Sequence, residues 1–137
     1  MVAEEAVIEG GVGFLPNKNI PLIKKELKHL LDNHPDPWIR NNYTLEFTRL
    51  HNEAYEISPQ HWLVRELVKS SERCGHSPRV RGFIVSCDAR LFYHVGKLPV
   101  VVFGAGDIRL AHSREERVNW EEIIRVAEIL VDFLTHD

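Results

Sequence analysis

Leu98-Pro99-Val100-Val101-Val102-Phe103, running straight into Gly104-Ala105-Gly106, is an unbroken apolar stretch closed by a pair of glycines. β-branched residues without polar alternation are what a strand covered on both faces requires. Val80 to Val85 gives a second strand signal. Between the two, Asp88 opens a short helix holding Leu91 and Phe92, and Gly96 ends it. Ser58-Pro59 predicts a cap followed by proline at the first helical position, for a helix running to Cys74 with Gly75 as its left-handed stop. Trp62, Leu63, Leu67 and Ser71 mark the inner face of that helix. The final helix begins after Asn119, which with Glu122 approximates a capping box. Its buried stripe reads as Trp120, Ile123, Ile124, Ala127, Leu130, Val131 and Leu134. This half is an α/β layered unit. Its covered strand 98–103 wants neighbours on both sides and finds one obvious partner, 80–85, so the sheet reads as incomplete.

Working outward toward the N-terminus, His51 to Ile57 is a polar connection and the best boundary. Before it, residues 6–15 mix β-branched residues with glycines and predict a strand, bulged at Gly10-Gly11. A helix starts near Pro21 with Asn19 as cap. It turns Leu22, Ile23, Leu27, Leu30 and Leu31 to one face and leaves Lys24, Lys25 and Lys28 as a solvated one. Asn33 to Pro37 stops it. Tyr43, Leu45 and Phe47 then alternate with Thr44, Glu46 and Thr48, the period of a half-buried strand.

Composition bounds the function classes. The 137 residues are 44% apolar and 27% charged with a formal charge of −3, an ordinary globular balance without a basic stripe for nucleic acid. No apolar run approaches the roughly 18–20 residues of a membrane-spanning helix, and the start lacks the pattern of a signal peptide. Cys74 and Cys87 are far apart and read as reduced thiols, so the expected location is cytoplasmic.

The chemistry gathers after the 98–103 strand. Gly104-Ala105-Gly106 leads into Ala111-His112 and Glu115-Glu116, beyond the C-terminal end of a buried strand, the edge where α/β sheets bind ligands. By itself, a glycine turn followed by one histidine is more often a surface loop. The other histidines show no ligand spacing and read as surface or hydrogen-bonded side chains. Asp88 has a second reading as a helix cap.

Taken in order, Cys87-Asp88-Ala89-Arg90-Leu91-Phe92, then Gly96 to Gly106, Ala111-His112 and Glu116-Arg117-Val118 resemble the end of one family. It is the family of dinuclear-zinc amidohydrolases and peptidases that includes acetylornithine deacetylase, succinyl-diaminopimelate desuccinylase, aminoacylase and glutamate carboxypeptidase. Its pattern is an Asp-Ala pair at a helix start, a Gly-x-Pro strand, a Gly-Pro-Gly loop, Ala-His, and a Glu four residues after the histidine. Here Gly96 and Pro99 stand one residue further apart and Ala105 replaces the proline. Glu9 to Pro16, the helix and strand that follow, and Asp36-Pro37-Trp38 resemble the last part of the family's lid domain.

The resemblance implies an α/β fold in two parts. Residues 1–55 would end an α+β lid, or dimerisation, domain, and residues 56–137 the C-terminal portion of a zinc-peptidase-like catalytic domain. It implies that His112 ligates one zinc of a two-metal centre, with cobalt or manganese as alternatives. The backbone of Gly104, Ala105 and Gly106 would lie near substrate, and Asp88 and Glu116 would support the site or the fold. No catalytic residue is assigned within the chain, because the family's other ligands and general base belong to upstream segments; the chain reads as starting inside the lid. The expected function is therefore that of part of an amidohydrolase acting on small N-acyl amino acids or related amides. The isolated chain is expected to be inactive and to hold metal poorly, and its partner to be a second copy or the missing N-terminal half. The alternatives are a non-catalytic remnant or interaction subunit, and the C-terminal chain of a split enzyme.

Overall fold

Asn19 sets where the first helix begins. Its extended backbone lets the side-chain oxygen accept from the Leu22 amide at 2.9 Å, and Pro21 falls in the first turn, where no amide is needed. In the computed structural model, which describes residues 4–49, 52–83 and 85–136, this helix is α1, Ile20–Asp32. The chain divides into two compact units, Met1–Glu56 and Ile57–Asp137.

In the first unit Ile23 is buried and Leu27 and Leu31 are half-buried, while Leu22 and Leu30 face outward. α1 already ends at Asp32, capped by Asn33, and Asp36-Pro37 has a separate task. The Asp36 carboxylate accepts from the Trp38 amide at 2.8 Å, and Pro37 opens a further short helix, α2, Pro37–Asn41. Tyr43, Leu45 and Phe47 are half-buried and alternate with exposed Thr44, Glu46 and Thr48, so the period of two is realised. What they meet is a helix face. With Lys24, Lys25 and Lys28 they line an open cleft of about 580 Å³. Lys24 Nζ lies 5.2 Å from the Phe47 ring centre, and Lys28 pairs with Asp32 at 2.9 Å. The lysine face is therefore not simply solvated at Lys24 and Lys28, whose ammonium groups lie near the Phe47 and Tyr43 rings, Lys28 also pairing with Asp32. The Glu53 carboxylate accepts from the Ile20 amide at 3.2 Å, a favourable place for negative charge at a helix start.

In the second unit α3, Trp62–Arg73, starts later than Ser58-Pro59 suggested. Ser58 Oγ is engaged in a turn by the Gln60 amide, and His61 caps instead, its Nδ1 accepting from the Leu63 amide at 3.2 Å. The end of α3 follows expectation. Gly75 is left-handed (φ 80°), with Gly75 N donating to Glu72 O and His76 N to Ser71 O. A short α4, Ala89–His94, and the long α5, Trp120–Thr135, complete the helices among the described residues. Asn119 caps α5 through the Glu121 amide at 2.9 Å.

The core is the α3–α5 contact. Val64 and Ile129 are 6% and 5% exposed, and Ser70 and Ser71 are fully enclosed, small enough to let two helices approach closely. Arg73 latches the pair, its guanidinium reaching Asp132 at 2.6 Å and Glu66 at 3.1 Å. The hydrogen bond from Arg73, then one from Ser70, holds the Asp132 carboxyl below its usual range. This contact uses a different side of α5 from the expected stripe. Ile129 is buried, with Val126 and Phe133 half-buried, while Trp120, Val131 and Leu134 stand 70%, 61% and 78% exposed. Trp62 is also exposed, so the inner face of α3 is centred on Val64, Leu67, Ser70 and Ser71.

No strand forms among the described residues, which corrects the expected strands at 6–15, 43–48, 80–85 and 98–103 for this chain. The physical reason is that a strand is satisfied only through a neighbour. Each backbone amide and carbonyl needs a ladder partner, and these segments pair with none here. The run 98–103 is accordingly exposed at Leu98, Val102 and Phe103 instead of covered on both faces. Position 84, within 80–85, and positions 50 and 51, at the boundary region, lie outside the described residues. Among the described residues no helix is long and apolar enough to cross a membrane.

Candidate functional site

Between α4 and α5 the chain builds a loop out of its own hydrogen bonds. α4 ends at a close approach: a Cβ on Gly96 would lie 2.6 Å from the Phe92 carbonyl oxygen, so only glycine fits. Lys97 follows in the left-handed region (φ 54°). Gly104 and Ala105 are exposed, and Gly106 is left-handed at φ 92°. Asp107 then starts a 3₁₀ turn, Ile108–Leu110, by accepting from the Arg109 amide at 3.0 Å. The Arg109 guanidinium folds back onto the same carboxylate through Nε and Nη2. These bonds, the side-chain bond from Arg109 foremost and then its amide, hold the Asp107 carboxyl at about 2. Ser113 closes the next turn, its hydroxyl donating to Leu110 O at 2.7 Å and accepting from the Glu115 amide at 3.2 Å.

His112 sits at the exposed turn of this loop with φ 61°, a conformation that costs a non-glycine residue about 1–2 kcal/mol. Its backbone amide donates to the Glu116 carboxylate at 2.9 Å. A second carboxylate acts at the loop's root, where the Gly106 amide donates to Glu122 at 3.0 Å. Glu122 thus serves a neighbour 16 residues away, not its own helix as the capping-box reading supposed.

Of the residues singled out from sequence, the structure brings Gly104, Ala105, Gly106, His112 and Glu116 into one loop. Asp88 stands apart at the start of α4. Its side chain makes no capping bond, so the cap reading of that carboxylate is not realised, and among the described residues no hydrogen bond joins it to the loop. Sequence reasoning missed two groups. Glu122 carried no signal beyond a helix start. Arg90, inside the quoted Asp88-Ala89-Arg90 segment, donates through Nη1 to Ser86 Oγ at 2.9 Å and to Cys87 O, while its buried Nε finds no partner among the described residues.

The expected metal can be weighed against these donors. Among the described residues no three His, Cys, Asp or Glu side chains stand together, and His112 supplies one imidazole where zinc needs at least three protein ligands. The residues present do not make up a metal centre by themselves, and no chemical step is derived through one.

Comparison with known proteins completes the picture. The chain is 26% identical over 145 aligned positions to an N-formyl-4-amino-5-aminomethyl-2-methylpyrimidine deformylase of Bacillus subtilis, covering 97% of this chain and 34% of that protein. It is 32% identical over 77 residues to a protein named as a LysW-lysine/LysW-ornithine hydrolase in Pyrococcus horikoshii, covering 56% and 24%. It is 30% identical over 81 residues to one of the same name in Thermococcus kodakarensis, covering 59% and 24%. The chain therefore spans about a quarter to a third of the length of these relatives. No solved structure matches it. Peptidase family M20/M25/M40 matches residues 1–136, nearly the whole chain, and the relatives carry the names of hydrolases; the protein belongs to that family, whose fold is α/β and peptidase-like.

Proposed function

We propose that this chain is the C-terminal portion of an amide hydrolase that removes an acyl group from an N-acyl amino acid or a related amine. Residues 1–55 would end the lid domain and residues 56–137 the catalytic domain, bounds that fall close to those of the two compact units. The observation that supports this best is the loop of His112. The histidine stands at the end of the ordered series Asp88, Gly96, Pro99, Gly104, Gly106, and it keeps a costly left-handed backbone under the carboxylate of Glu116. Backbone strain held in place by neighbouring groups is a mark of functional positions. The relatives' named activities, a deformylation and a hydrolysis, are compatible with the loss of an acyl group from nitrogen.

In this reading His112 is one zinc ligand of a centre completed by polypeptide outside the chain. The exposed backbone of Gly104, Ala105 and Gly106 borders the substrate, Glu116 orients the ligand loop, and Asp88 supports the site from the start of α4. The purified chain, given zinc or cobalt, should hydrolyse no N-acetyl, N-succinyl or N-formyl substrate. Turnover should appear when the remaining length of the family fold is supplied, and His112→Ala should abolish it there. Metal-dependent turnover by the chain alone would overturn the completed-centre reading. Undiminished activity of the assembled His112→Ala protein would remove His112 from the site.

A further inference from the structure

Glu122 occupies the third position of α5, where a glutamate ordinarily reaches back to the amide of its own cap residue. Here its half-buried side chain crosses to the other end of the preceding loop and accepts from Gly106 N at 3.0 Å. The cap does not suffer, because Asn119 takes the Glu121 amide. The neighbouring Glu121 pairs along the helix with Arg125 at 3.2 Å, so two adjacent glutamates have different tasks. At the same root, Val118 Cγ2 lies 3.7 Å from the point a Gly106 Cβ would occupy, so the two ends of the loop are in contact. Between Gly106 and Val118 run the Asp107 turn, the Ser113 turn and the Glu116 bond to the His112 amide, each local to its own few residues. The bond from Gly106 to Glu122 is the long-range closure among them.

We propose that Glu122 is a positioning residue of this site: its carboxylate, carried on the rigid first turn of α5, closes the Gly106–Val118 loop at its root and so sets the geometry in which His112 is presented. The proposal rests on the reading of that loop as part of the functional site. A carboxylate suits the task because a charged acceptor gives a stronger bond than a neutral one. A glycine suits the other end because the amide is offered from a left-handed backbone that residues with a side chain rarely adopt. Anchoring a ligand-bearing loop to a helix restrains it better than loop contacts alone.

Amide hydrogen exchange on the full chain tests the closure without asking His112 to bind anything, so its outcome is independent of the functional reading. In Glu122→Ala the amides of Gly106 and His112 should exchange about tenfold faster or more, the loss expected when a bond to a charged acceptor is removed. The amide of Ile129 should not change. Glu122→Gln, which keeps an acceptor oxygen, should restore much of the protection, and Glu121→Ala should leave the loop untouched. If Glu122→Ala unfolds the chain, Glu122→Asp, one methylene short, carries the same expectation. Unchanged exchange at Gly106 and His112, equal effects from Glu121→Ala, or no rescue by glutamine would each overturn the proposal.

Discussion

His112 has a backbone that its side chain does not favour. At φ 61° it lies where glycine is at ease and other L-residues are not. His112→Gly should therefore be more stable to urea than His112→Ala, by about 1 kcal/mol, even though both lose the imidazole. Equal stability of the two would mean that the backbone relaxes in solution. Nothing in the sequence around Ala111-His112-Ser113 announces that conformation, because it follows from where the Glu116 carboxylate comes to lie. Asp107 offers a second test. Its carboxyl is held near 2 against an ordinary 3.8, first by the Arg109 side chain and then by its amide. The folded value is the depressed one, so the stabilisation is fully present above 3.8 and is lost as pH falls toward about 2. Asp107→Asn should make acid unfolding across that window shallower than in the parent chain. Superimposable acid curves would show that the Asp107–Arg109 pair is not kept in water.

Among the elements, α5 is apolar on more than one side. Ile129, with Val126 and Phe133, faces α3, while Trp120, Ile124, Val131 and Leu134 lie on a different side. Ile129→Ala should cost about 2–4 kcal/mol in urea unfolding, and Ser71→Leu about 1–3 kcal/mol by forcing the helices apart. Val131→Ala should cost much less in the isolated chain. The sequence pattern alone argued the reverse ranking for Val131 and Ile129, so the experiment decides which side of α5 carries the contact. The starts of α1 and α5 were legible because a cap is local chemistry: Asn19 and Asn119 act on amides two or three residues away. The cap of α3 was misplaced because Ser58 had an equally local alternative in a turn. The Asp36-Pro37 start of α2 is hidden in the sequence because the pair falls within the Asn33 to Pro37 stretch that reads as the stop of α1. The strands were not reachable in this way, since a ladder depends on a partner that no local pattern supplies. The site was legible in part: the order of residues from Asp88 to Glu116 led to the loop, whereas Glu122 and Arg90 matter through contacts that only folding creates.

At the scale of the whole molecule, two observations meet. The chain spans about a quarter to a third of its relatives' length. Its second unit also leaves a large apolar surface open, with Phe92, Val95, Leu98, Val102 and Phe103 exposed along the segment before the His112 loop. On α5, Trp120, Val131 and Leu134 add to it. Where such exposed apolar side chains lie together they mark an interaction surface or an aggregation hazard. The irregular run 98–103, with its backbone groups unpaired by any ladder, adds a second route to association. The expectation is that the isolated chain elutes well above its 15.9 kDa mass or binds a hydrophobic dye. Val131→Lys with Leu134→Glu should lower dye binding without melting the α3–α5 contact, because neither residue faces Ile129. Polypeptide supplying the remaining length of the family fold should lower both effects in the unmodified chain, since it would cover the same surface. A dye-silent monomer with a two-state melt would mean that this chain closes its own core, and the non-catalytic domain would then be the better reading of it.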